Sequence, residues 1–200
     1  MPPRIFQVGT CERYYNNRRR RWCVTLGTGA CYVTDEDDVL TTVLGSCIAA
    51  CVRDPLRGVG GMNHFLLPFV ERALPDQAEL AARYGVHAME LLVNEVMKAG
   101  GRRSDLEVKL FGGASLTARR GDSGRRNIEF AYDYLKTEGL RLVSSDVGDV
   151  TPRRLEFHPR SGRARVLRLE AVRVPSLTEQ ELRFRRDLER APIDGDVELF

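Results

Sequence analysis

From Cys47 to Pro68 the chain reads CIAACVRDPLRGVGGMNHFLLP, two apolar runs joined by a short stretch that holds a proline and three glycines. Runs of this length read as strands, and a Gly/Pro connection this short joins antiparallel neighbours. CIAACVRD is therefore expected to be a strand, DPLRGVGG (Asp54 to Gly61) its turn, and MNHFLLP the returning strand. A hairpin in the middle of the chain commits the domain to a sheet, and its neighbours agree. ACYVT (Ala30 to Thr34) and VLTTVLG (Val39 to Gly45) are β-branched runs on either side of the acidic turn DEDD.

Past Gln77 the period changes from two to 3.6. Val86, Met89, Leu92, Val93, Val96 and Met97 recur at three and four residues, which predicts an amphipathic helix from Gln77 to Ala99, stopped at the glycines of AGG. LEVKLFGGAS is a strand running into a glycine loop. Gly124 to Gly139 is a second helix with Ile128, Ala131, Leu135 and Tyr132 facing inward. LRLVSSDVG and RRLEFHPRSGRARVLRLEAV follow as three more strands, the last two joined by PRSG. Leu177 to Arg190 is a charged helix with Thr178 and Glu181 as a capping box and Leu182, Phe184 and Leu188 as its apolar stripe. The total is seven or eight strands and two core helices. The expected fold class is α+β: mostly antiparallel, β-sandwich-like sheets flanked by two or three helices. Residues 1–29, with the basic run RRRRW (Arg18 to Trp22), are expected as an N-terminal extension, 30–175 as the globular domain, and 176–200 as a charged helix and tail.

Charge excludes some classes of function. Thirty-one basic and 28 acidic residues leave a net +3, so basic side chains are mostly matched and nucleic acid is not an expected partner. No apolar run approaches the roughly 20 residues that span a bilayer, and MPPRIFQVGT has no signal-peptide core, so no membrane insertion and a cytoplasmic location are expected. Five cysteines in a reducing compartment are expected as thiols, not disulfides.

One cysteine stands out. In LGSCIAAC, Gly45 and Ser46 precede Cys47, and a glycine there permits a sharp turn and close approach of a substrate. The N–H groups around Ser46 and Cys47 are then placed to face a developing oxyanion. Cys51 has the same strand parity as Cys47 but lies inside the apolar run, where core packing suffices. A thiol nucleophile needs a base. Of His64, His87 and His158, only His64 sits on the strand that returns beside Cys47. A metal site would need three or four ligands; CIAAC with His64 supplies three at an unusual spacing, and Cys11, Cys23 and Cys31 are scattered. No metal and no cofactor are expected.

TTVLGSC, GGMNHFLLP, KLFGGAS, RRNIEF and SSDVGD, in that order, resemble the CheD family, the chemoreceptor glutamine deamidases of bacterial chemotaxis. The likeness spans about Ala30 to Leu169. It implies hydrolysis of glutamine side chains in chemotaxis receptors to glutamates, with Cys47 as nucleophile, His64 as base and a threonine completing a triad. Six residues before the cysteine stands Thr41, the expected third member, with Thr42 the less favoured neighbour. The likeness further implies a fold similar to the catalytic domain of the cytotoxic necrotising factor toxins, and a CheC-type phosphatase as an alternative partner for a chain acting mainly as its regulator. A cysteine-dependent acyl transferase is a third reading. Asp149 departs from the family pattern, standing where a second glycine is expected after DVG. The arginines at 18–21, 119, 120, 125 and 126 are candidates for attracting an acidic receptor surface.

Overall fold

The computed structural model describes residues 4–67, 75–115, 123–169, 179, 181, 183 and 184. Its elements run β1 (Ile5–Val8), β2 (Cys11–Asn16), β3 (Arg21–Leu26), β4 (Cys31–Thr34), β5 (Val39–Leu44), β6 (Ile48–Asp54), β7 (Val59–Asn63), α1 (Pro75–Lys98), β8 (Glu107–Gly112), α2 (Ser123–Thr137), β9 (Arg141–Val147), β10 (Arg153–His158) and β11 (Arg163–Arg168). Six strands form one sheet in the order β1-β4-β7-β6-β8-β9, and five form another in the order β11-β10-β5-β3-β2.

Alternation within the strands decides how the layers stack. Ile48, Ala50 and Val52 of β6 point into a core shared with Met89, Leu92, Val93 and Val96 of α1 and with Ala131 and Leu135 of α2. Cys47, Ala49 and Cys51 face the opposite way, onto Leu40 and Leu44 of β5 and Leu155 and Phe157 of β10. The molecule is therefore three layers deep: helices, six-stranded sheet, five-stranded sheet. Each large apolar side chain withdrawn from water in these two interfaces contributes on the order of 2 kcal/mol.

The α+β class and the antiparallel bias hold, with two parallel exceptions, β3 beside β5 and β8 beside β9. The first 29 residues depart from the expected extension. β2 and β3 form a hairpin in the five-stranded sheet and β1 pairs with β4 in the other, so a boundary at residue 29 would cut through both sheets. The reason is edge placement. β1 and β2 bury little, so their apolar alternation is weak, although their backbone groups are fully paired along one side. The basic run becomes the β2–β3 turn and the start of β3, where Arg19 pairs with Glu156 and Arg21 with Asp37.

The central hairpin forms as expected, with a shorter turn. β7 begins at Val59, so Gly60 and Gly61 belong to the strand. A Cβ on Gly61 would strike the Tyr32 carbonyl and would lie 3.0 Å from Leu92, which is why a strand this buried between β4 and α1 carries glycine there. Met97 and Tyr132 lie on exposed flanks of their helices, and Tyr134 takes an inward place instead. Asp149 has φ +68°, a left-handed conformation that aspartate tolerates better than most residues. It stabilises the turn by accepting the Val150 N–H on Oδ1 at 2.6 Å. Thr178, Leu182 and Leu188 of the expected C-terminal helix lie outside the described residues, whereas Glu179, Glu181, Arg183 and Phe184 are helical.

Candidate active site

Four chain segments meet at one end of the sandwich because of strand direction. β3 and β5 are parallel neighbours, so the connections leaving them, residues 27–30 and 45–47, emerge at the same end as they cross from one sheet to the other. β7 runs antiparallel to both β4 and β6, so its C-terminal end arrives between those two crossovers. β8 also runs antiparallel to β6 and delivers Gly112 opposite Ile48.

The register finishes the placement. Cys51 pairs with Met62, and Ile48 bridges Phe65, which puts His64 opposite Ala49. Cys47 is two residues from Ala49 on the same face, so thiol and imidazole are diagonal neighbours pointing toward the five-stranded sheet. Both are buried, Cys47 at 1% and His64 at 4% exposure, and both line one cavity of about 250 Å³ with Thr28, Thr42 and Glu181. His87 and His158 are not part of it.

The loop that carries the thiol is clamped from behind. Gly45 O accepts from Ala114 N at 2.7 Å, Ser46 O from Asn127 Nδ2 at 2.7 Å, and Cys47 O from Gly113 N at 2.7 Å. Gly112, at φ +111°, brings its backbone so close to the Cys47 carbonyl that a Cβ would collide with it. With its carbonyls turned away, the loop presents N–H to the cavity: Ser46 N donates to Glu181 Oε1 at 2.8 Å. Asn127 spans the gap to the other side, accepting the Leu67 N–H at 2.9 Å. The glycines of FGG are thus part of the thiol loop's support, and Asn127, in RRNIEF, shapes that loop from a place that periodicity alone ranks as an ordinary helix position.

His64 is held by threonine, though not the expected one. Thr42 Oγ1 lies 2.8 Å from His64 Nδ1 and donates its own hydrogen to the Leu26 carbonyl at 2.8 Å. A hydroxyl has one hydrogen, so Thr42 accepts from Nδ1–H, which leaves Nε2 as the unprotonated nitrogen. Thr28 Oγ1 is 3.5 Å from that Nε2. Thr41 points the other way. On β5 the inward residues are Leu40, Thr42 and Leu44. Thr41 does not line the cavity that Thr42 shares with Cys47 and His64; it lines a recess of about 210 Å³ on the outer side with Tyr14, Arg19 and Glu156, which Thr42 also borders. Counting six residues back from the cysteine selects the wrong parity, since a one-residue change on a strand reverses the face.

Burial pushes the His64 imidazole down to about 4, against a smaller opposing effect of the Leu26 carbonyl. It is therefore neutral at physiological pH and can accept a proton. Burial likewise pushes the Tyr84 phenol up to about 12, with neighbouring Cys47 adding to the effect. Cys51 is fully enclosed and its thiol is driven well up by burial, as a packing residue's would be. No cluster of three or more metal-type side chains occurs among the described residues, and none of their helices is long and apolar enough to cross a membrane.

Sequence reasoning missed Glu181 as a site residue. Its carboxylate is 8% exposed and takes three donors: Ser46 N, Ser46 Oγ at 2.6 Å, and Cys47 Sγ at 3.4 Å. The capping-box spacing with Thr178 hid it, because that pattern assigns the carboxylate to its own helix.

Fold and site together define a protein with a rigidly supported, buried thiol and a neutral imidazole lining one cavity. The family model for CheD chemotactic sensory transduction matches residues 66–168. A Hydrogenovibrio crunogenus protein named "Probable chemoreceptor glutamine deamidase CheD" is 51% identical over 86% of this chain and 91% of its own length. Similarly named proteins of Halorhodospira halophila (44% identical, 96% of this chain, 91% of theirs) and Shewanella oneidensis (39%, 100% and 98%) align over nearly everything. The chain belongs to the CheD family. A Neisseria meningitidis structure described as DUF152 has a TM-score of 0.39 at 11% identity over 60% of this chain and 53% of its own, too distant to bear on function.

Proposed function

We propose that the chain is a chemoreceptor glutamine deamidase: it hydrolyses glutamine side-chain amides in the cytoplasmic regions of methyl-accepting chemotaxis receptors to glutamates, releasing ammonia. The observation that carries this reading is the Thr42–His64 pair, which leaves an unprotonated Nε2 in the cavity that Cys47 also lines. The names of the relatives point the same way.

In this mechanism Nε2 takes the Cys47 proton and the thiolate attacks the amide carbon. Ser46 N–H holds the oxyanion; a donor of this kind typically contributes ~3 kcal/mol. Collapse breaks the C–N bond, and the imidazolium proton goes to the departing nitrogen, which leaves as ammonia. Water then gives a proton to Nε2 and adds to the thioester, and the thiolate leaves as the carboxylate forms. Thr42 holds the tautomer throughout and takes the place in the triad that spacing suggested for Thr41.

A cytoplasmic location follows from such a substrate. The likeness to the necrotising-factor catalytic domain is a finer reading of the layered fold, in keeping with a cysteine–histidine pair between sheets. A CheC-type phosphatase is a proposed further partner, to be sought by pull-down. The decisive experiment incubates a receptor cytoplasmic fragment with the protein and follows peptide mass. A gain of about 1 Da at defined glutamines, absent with Cys47→Ala, is expected; an unchanged gain with Cys47→Ala sinks the reading, and incorporation of an added amine points to an acyl transferase instead.

A further inference from the structure

We propose that the Ser46–Cys47 loop is a binding site for a glutamate carboxylate carried on a helix, and that the chain fills it with its own Glu181 as an internal product mimic that a substrate must displace. The proposal rests on the deamidase reading for what the natural occupant is, and on geometry for the site itself. Glu181 lies 134 residues from Cys47 in sequence, yet both of its oxygens are used inside the cleft. Oε1 takes the Ser46 N–H, the donor that the reaction needs for its oxyanion, and also the Cys47 thiol. Only the neutral thiol can donate that bond, so the nucleophile is held in its unreactive form while Glu181 is seated. Oε2 takes the Ser46 hydroxyl.

The group seated there is chemically the product of glutamine hydrolysis. It is also presented as a helix would present it. Glu181 and Phe184 are three residues apart and share a face. The Phe184 ring covers Gly29, where a Cβ would stand 2.7 Å from it, and packs against the inter-sheet core. Glu179 and Arg183 are exposed. One polar anchor and one apolar anchor at helical spacing, with the flanking residues in water, is the helix-in-groove mode of peptide recognition. A segment of the same chain gains from high effective concentration without needing high intrinsic affinity.

The test alkylates the intact chain with iodoacetamide and follows Cys47 by peptide mass spectrometry, with half-buried Cys11 as the internal control. Glu181→Ala should react at Cys47 on the order of tenfold faster, and Phe184→Ala, which leaves the carboxylate in place, should accelerate it less. Equal rates in wild type and both variants overturn the seat. On a receptor fragment, Glu181→Ala should lower KM; a loss of kcat would make Glu181 part of the catalytic machinery and overturn the mimic. Glu181→Gln keeps the side-chain shape should the alanine variant fold poorly, and its new amide lies where a substrate's would. That amide should revert to the carboxylate in a Cys47-dependent step that consumes water, releases ammonia and adds about 1 Da. If the Glu181→Gln variant deamidates receptor yet keeps its own introduced amide intact, the proposal is overturned. Faster Cys47 alkylation in a protein that deamidates no receptor supports the seat and sinks the deamidase reading instead.

Discussion

Thr42 Oγ1 stands 2.8 Å from His64 Nδ1 while its hydrogen goes to the Leu26 carbonyl, so the threonine fixes which imidazole nitrogen is free. The neighbouring Thr41, one residue earlier on the strand, has the opposite parity to core residues Leu40 and Leu44 and does not line the His64 cavity. Thr42→Val should therefore cut kcat on a receptor fragment by roughly tenfold to a hundredfold, as loss of an orienting partner does elsewhere. Thr42→Ser should recover most of it. Thr41→Val should stay within about twofold of wild type, since surface substitutions away from a site cost little. Equal damage from both valines would return Thr41 to the site.

His64 also couples the fold to pH. Its folded value near 4 lies below the unfolded value of about 6.5, so between these limits the unfolded chain binds the extra proton. Stability should fall as pH drops from about 6.5 to 4, by up to roughly 3 kcal/mol from this group. Urea titrations across that window should show the slope, and His64→Asn should flatten it. A protonated imidazole cannot accept the thiol proton, so kcat/KM should decline as pH falls toward 4.

Asn127 bonds the Ser46 carbonyl and the Leu67 N–H, and is itself 1% exposed. Asn127→Leu leaves two buried backbone groups without partners, a loss of about 1–3 kcal/mol each. Thermal melts should register it. If the clamp positions the nucleophile loop, kcat should fall in the variant at temperatures where it remains folded, with KM little changed.

Two cysteines of one strand face should behave oppositely. Cys47→Ala should abolish turnover while leaving the melting temperature near wild type. Cys51→Ala should keep turnover and lose about 1 kcal/mol for the cavity it creates. Turnover that survives Cys47→Ala and disappears with Cys51→Ala would reverse the assignment of nucleophile.

Much of this was readable in one dimension. The Gly/Pro turn between two apolar runs was enough for the β6–β7 hairpin, and its register made Cys47 and His64 diagonal neighbours on one face, because local pairing is set by turn length and by a period of two. The switch to a 3.6 period placed α1 and α2 to within two residues or so at their starts. The edge strands β1 and β2 were not readable, since a strand that buries little has little apolar alternation to show.

What the sequence alone determined is therefore the candidate thiol and imidazole and the hairpin beside which they lie, both products of short-range chemistry. The tertiary structure decided the rest. It chose Thr42 over Thr41 through the face that β5 turns inward, and it set Asn127 and Gly113 behind the thiol loop. It also brought Glu181 across 134 residues onto Cys47. Each depends on which elements pack together, and no local period encodes a contact between segments that distant.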